Sequence, residues 1–191
     1  VARGAPAHAD SLRAYWSAAV PFPDFYDGVT RRARLWERNY EEGEVPAALV
    51  ARARAVGGTW HLLAVAVDAC SDSVNTLPWL ALLAEAVPGL EMRVLDPARG
   101  RALMEARPTA DGRAATPTVV LLDAGFEDAG CFVERPRPLK AWIEEQRHQV
   151  GEGTLYEGKM LWYAQDAGAS TVEEVVRLLE SAAAGEPVCE G

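Results

Sequence analysis

The chain has 191 residues, 49% of them hydrophobic and 25% charged, enough for one well-buried core with an accessory layer. A formal net charge of −9 argues against nucleic acid or an anionic membrane surface as a partner. No apolar run approaches the roughly 18 residues that cross a membrane. Residues 1–9 lack the apolar segment of a signal peptide, which leaves an already cleaved leader open.

In chain order, Asp10 caps a short helix over 11–19, which Pro21 and Pro23 end. Asp24 caps a second helix reaching about Tyr40, with Phe25, Val29, Ala33 and Trp36 at helical spacing. Its other side carries Arg31, Arg34 and Arg38, which read either as a solvated face or as an anion-binding face for a peptide or thiol carboxylate. Pro46 starts a third helix, which Gly57 and Gly58 end. Residues 60–67 form an apolar run that predicts a buried strand, and 74–87 predict a helix kinked by Pro78. Residues 90–95 are a second strand, parallel to the first through a right-handed crossover, and 100–106 a short helix. A third strand begins at Thr116-Pro117, and residues 129–134 return as a fourth in a hairpin. Residues 139–149 are an amphipathic helix, and a further helix lies around 155–163. The Ser170–Glu173 spacing reads as a capping box for a last helix to about Ala184. The tail 185–191, with Cys189, reads as loosely held.

Three cysteines, Cys70, Cys131 and Cys189, are odd in number and widely spaced, so no disulfide framework is expected. That pattern fits free or catalytic thiols in a reducing compartment, here the cytoplasm. His8, His61 and His148 fall in no metal-ligand spacing, so neither a metal nor a cofactor is expected, and His61 reads as a packed histidine of the first strand. Cys70 is placed differently from the other two, because it sits where the first strand hands over to a helix. A helix N-terminus offers unpaired N–H groups and a partial positive charge, and both favour the thiolate, the nucleophilic form.

The order β-α-β-α-β-β-α from Trp60, with Cys70-x-x-Ser73 after the first strand and Thr116-Pro117 before the third, resembles a thioredoxin-fold domain over residues 60–149. The stretch Cys70-Ser71-Asp72-Ser73-Val74-Asn75-Thr76-Leu77-Pro78 is similar to a bacterial thioredoxin-like subfamily. That subfamily carries Trp-Cys-Gly-Asp or Trp-Cys-Pro-Asp, then a small residue, an Asn and Leu-Pro. Ala69 and Ser71 depart from this pattern, and Ser73 occupies the resolving-cysteine position. The resemblance implies an α/β thioredoxin fold, a four-stranded mixed sheet flanked by helices. An N-terminal helical extension (1–58) and a C-terminal one (151–191) flank the domain at 59–150.

It also implies a site. Cys70 would be the nucleophile, with Ser73 hydrogen-bonding its thiolate. Thr116 and a cis Pro117 would present backbone to an extended substrate. Asp72 either opposes the thiolate or points out and pairs, and Trp79 would flank the groove. Cys131 reads as a core or half-buried thiol, too far along its strand to resolve Cys70. Two functions follow. One is a monothiol thiol–disulfide oxidoreductase that exchanges with a protein disulfide or a low-molecular-weight thiol. The other is a redox-inactive binding module that keeps the groove, with the added helices covering it or forming a homodimer interface.

Overall fold

The computed structural model describes residues 9–190, with side chains for 11–189. His8 and the capping role of the Asp10 side chain lie outside these residues. The elements run α1 (Ala9–Ala18), β1 (Val20–Pro21), α2 (Phe22–Asp27), α3 (Ala33–Glu41), α4 (Ala47–Val56), β2 (Trp60–Val65), α5 (Ser71–Ala86) and β3 (Leu90–Leu95). They continue as α6 (Arg101–Glu105), β4 (Thr118–Leu122), β5 (Asp128–Val133), α7 (Arg137–Gln146), α8 (Glu152–Asp166), α9 (Ala169–Ala183) and β6 (Val188–Glu190). The strands make one sheet in the order β1-β3-β2-β4-β5-β6. β2 lies parallel to β3 and antiparallel to β4, and β4 and β5 form the expected hairpin.

Alternation along β2 explains the two layers, since successive side chains of a strand point to opposite faces. Leu62 and Ala64 join the larger core with Trp36, Leu77, Leu80 and Val175, under α3, α4, α5 and α9. Leu63 and Val65 face the other way, onto Leu12, Trp16 and Leu103 from α1 and α6. A small third cluster of Leu139, Ile143 and Tyr163 ties α7 to α8. Trp60 to Val65 is apolar on both faces because both faces are covered. His61 packs as expected, stacked on Phe126 and tilted against Trp16 at centroid distances of 4.5 and 4.7 Å.

Several expectations are corrected. The sheet has six strands rather than four, because β1 pairs with β3 and β6 pairs with β5. The single helix expected from Asp24 to Tyr40 is two, separated by residues 28–32, and Arg32 takes a left-handed φ of 55° as the N-cap of α3. Asp24 lies inside α2 rather than capping it. The Ser170–Glu173 capping box is not formed. α9 opens after Gly168, and the Ser170 hydroxyl bonds the Asp166 carboxylate instead.

The tail is not loosely held. Val188–Glu190 runs parallel to β5, with Cys131 and Cys189 as register partners joined in a disulfide whose Cα atoms lie 4.5 Å apart. Gly130 admits this strand, since a Cβ there would stand 2.7 Å from the Val188 carbonyl oxygen. Sequence spacing missed the pair because strand register, not chain distance, brings the two sulfurs together. A disulfide persists in an oxidising compartment, which removes the reason for expecting the cytoplasm. Among the described residues, no helix is long and apolar enough to cross a membrane.

Candidate functional site around Cys70

β2 ends at Val65, and five residues later Cys70 becomes the N-cap of α5 with extended backbone angles (φ −72°, ψ 125°). A capping side chain accepts a hydrogen bond from an N–H of the first turn. Here the acceptor is sulfur, and the Ser73 amide donates to Sγ at 3.4 Å. The Cys70 thiol in turn donates to the Thr116 carbonyl oxygen at 3.3 Å. Both partners are therefore backbone groups, one from the helix start and one from the segment before β4. The Thr116–Pro117 peptide is cis. Cys70 is half-buried and is the free cysteine among the described residues.

The loop that delivers the sulfur is locked by the N-terminal segment. The Asp68 carboxylate accepts from the Thr30 and Arg31 amides at 2.9 and 2.8 Å, and the Trp36 indole donates to the Asp68 carbonyl. Burial pushes the Asp68 carboxyl up, but the Arg31 and Thr30 N–H groups outweigh it and hold the group below its ordinary 3.8. Arg32 Nε donates to the Ala69 carbonyl at 2.7 Å. The two amide bonds to Asp68 need the break between α2 and α3, because amides inside a continuous helix would already be spent on its own carbonyls.

Pro78 lies inside α5 and has no N–H for the Val74 carbonyl four residues back. The Asn39 amide of α3 supplies that donor at 2.8 Å. The helix behind Cys70 therefore tolerates its proline because a neighbour satisfies the orphaned acceptor.

Asp72 is buried rather than exposed. Its side chain is 7% accessible, and its carboxylate meets Arg135 through two parallel bonds of 3.0 and 3.1 Å. Lys159 Nζ from α8 adds contacts at 3.1 and 3.2 Å, and the Tyr163 hydroxyl donates to it at 2.9 Å. Lys159 also donates to the Ser71 hydroxyl at 2.9 Å. Burial, then the Asp72 charge, raises the Tyr163 hydroxyl well above its ordinary 10. Burial opposes the Arg135 charge, but Asp72 outweighs burial and pushes that guanidinium up. Glu134, at a left-handed φ of 64°, joins Arg113 to Arg135 and extends the network to the start of α7. Asp72 is thus a buried anchor rather than the substrate-binding residue expected.

Two further site expectations change. The Ser73 hydroxyl is fully buried and has no hydrogen-bond partner among the described residues, so the residue reaches the sulfur through its amide alone. Trp79 is 8% exposed and lies between two glycines. A Cβ on Gly168 would fall 2.1 Å from its ring and one on Gly43 2.7 Å from it. Trp79 lies two and a half turns along α5 from Cys70 and packs into the core. Cys70, Ser73, Thr116 and Pro117 are brought together. Arg32, Asp68, Arg135, Lys159 and Tyr163 were missed. A signal for Lys159 existed in the spacing Leu155–Lys159–Tyr163, which puts a lysine on the inward stripe of its helix.

A family model described as thioredoxin (Thioredoxin_9) matches residues 19–148. The chain belongs to this thioredoxin family. The match begins at β1 and so takes in the helices that lock the Cys70 loop of this thioredoxin-family chain. No curated protein matches the chain. A crystal structure of a protein of unknown function from Pseudomonas aeruginosa is similar, with a TM-score of 0.67 at 22% identity, covering 92% of this chain and 99% of that one. An HIV epitope-scaffold structure is similar with a TM-score of 0.65 at 20% identity, covering 88% and 97%. At these identities the two structures speak for the fold alone.

Proposed function

We propose that the protein is a monothiol thiol–disulfide oxidoreductase, of the thioredoxin-like type with a CxxS site, in which Cys70 attacks and an external thiol resolves. The observation that carries this is the half-buried, unpaired Cys70 at the start of α5, its sulfur held between the Ser73 amide and the Thr116 carbonyl. The Cys70 thiolate attacks one sulfur of a disulfide RS–SR, forming Cys70–S–SR and releasing RS⁻. A second thiolate then attacks the R sulfur, regenerating Cys70 and leaving a new disulfide. Ser73 has no thiol for that second step, and the remaining cysteines are committed to each other across β5 and β6. The Thr116 amide makes no hydrogen bond within the described residues, so it is free to bond the backbone of a peptide-like disulfide laid beside the sulfur.

The test is intact mass after incubation with glutathione disulfide, with the adduct located by peptide mapping. Wild type gains one glutathionyl group on Cys70, a reducing thiol removes it, and Cys70→Ser gains none at that position. Absence of any Cys70 adduct overturns the reading. That result, with partners still captured by Cys70→Ser, favours instead the redox-inactive binding module that uses the groove beside Thr116-Pro117.

A further inference from the structure

We propose that the disulfide accepted by Cys70 is a low-molecular-weight anionic one, selected by Arg32 with Arg31 beside it. This rests on thiol–disulfide exchange at Cys70 and adds the charge of the substrate.

The Arg32 guanidinium is fixed by its Nε to the Ala69 carbonyl at 2.7 Å, and that carbonyl belongs to the peptide unit whose nitrogen is that of Cys70. A cation is therefore seated one peptide from the nucleophile. Only one donor of the fork is used. Its two terminal nitrogens make no hydrogen bond or ion pair among the described residues, and the Arg31 side chain likewise makes none. Both arginines are exposed. They do not ride on a loose loop, because the Thr30 and Arg31 amides are clamped to Asp68.

Several arginines elsewhere in this acidic chain are spent on its own carboxylates, while Arg34 and Arg38 of α3 are exposed and, like Arg31, make no side-chain bond among the described residues. Arg52 is taken by Glu173 and Glu180, Arg113 by Asp111 and Glu134, and Arg135 by Asp72. The acids near the sulfur are occupied too, Asp68 by two amides and the Thr30 hydroxyl, and Asp72 by Arg135, Lys159 and Tyr163. Beside the peptide that leads into Cys70 stands a guanidinium with an unused edge, and such an edge receives a carboxylate in two parallel bonds. In the exchange, the Cys70 thiolate displaces one carboxylate-bearing thiolate and retains the other as the mixed disulfide. A different thiolate R′S⁻ then attacks the retained sulfur, releasing it as R–S–S–R′ and returning Cys70 to the thiolate.

The test compares initial rates of Cys70 adduct formation with glutathione disulfide, which is anionic, and cystamine, which is cationic, at low salt. It uses wild type, Arg31→Gln, and the double variant Arg31→Gln/Arg32→Asn. Asparagine suits the left-handed backbone at position 32. The glutathione-to-cystamine rate ratio is expected to fall about fivefold or more in the double variant and part of that in Arg31→Gln. Added salt should bring the wild-type ratio down toward that of the variants. Arg31→Gln removes no internal contact, so it decides the matter even if position 32 proves sensitive. An unchanged ratio in both variants overturns the charge selection while leaving exchange at Cys70 intact. Failure of wild type to react with either disulfide overturns the reading of Cys70 itself, and the inference with it.

Discussion

The Ser73 amide lies 3.4 Å from the Cys70 sulfur, and the Ser73 hydroxyl is buried with nothing to bond among the described residues. A thiol at that position would lie within reach of Cys70 across one turn of helix. Ser73→Cys should therefore form an internal disulfide with Cys70 on mild oxidation, read as the loss of two hydrogens by mass. It should also cease to accumulate the glutathione adduct. His61 supports a pH prediction. Burial against Trp16 and Phe126 is the main cause holding it below its ordinary 6.5, with Arg93 and Arg13 acting in the same direction and Glu91 and Asp123 opposing. The unfolded chain takes up a proton near 6.5, whereas the folded chain resists until lower pH. The unfolded state thus binds more protons in that window, and stability falls as pH drops below about 6.5. Urea midpoints measured from pH 7.5 to 5 should decline for wild type, and the His61 share of that decline should vanish in His61→Phe.

At the scale of elements, α5 is held at both ends of its active half by neighbours. Asn39 of α3 replaces the hydrogen bond that Pro78 cannot make, so Asn39→Leu leaves the Val74 carbonyl buried and unpaired. We expect a loss of about 1–3 kcal/mol by urea denaturation. The first turn is held from the other side, where Lys159 of α8 and Arg135 before α7 converge on Asp72. Asp72→Ala would strand two cations in a largely buried site, at a cost of about 3–5 kcal/mol. The same measurement on Asp72→Ala should show this, and the loss should exceed that of Asn39→Leu. Much of this was unreadable beforehand. Pro78 announces an unsatisfied carbonyl, but nothing in the local sequence says which residue answers it.

Across the whole molecule, the disulfide pins the last strand to the sheet edge and closes a loop with a sequence separation of 58. Closing a loop of that size restricts the unfolded chain, and Cys189→Ser is expected to lower stability by about 2–4 kcal/mol. Comparing urea unfolding of the variant with that of oxidised wild type checks this. The Cys70 adduct should still form in Cys189→Ser, because β6 lies at the sheet edge and Cys70 follows the interior strand β2. The N-terminal helices have the opposite relation to the site. Through Asp68, Ala69 and Val74 they hold the residues on either side of Cys70, so the chain before Trp60 takes part in building the site.

That Cys70 faces Thr116-Pro117 is what the thioredoxin resemblance implies; the sequence by itself determined the β-α-β-α-β-β-α order from Trp60, the buried central strand and the cysteine at a helix start. These follow from local rules: apolar runs, helical spacing, and the breaks made by glycine and proline. Only the tertiary structure decided what surrounds the sulfur. It turned Asp72 inward, because Arg135 and Lys159, 63 and 87 residues further along the chain, supply the opposite charges that make its burial tolerable. It joined Cys131 to Cys189 through strand register, and it set Arg32 beside Ala69 through a helix break whose purpose lies 37 residues away. Pairings at such separations depend on packing geometry, which periodicity in a single chain does not encode.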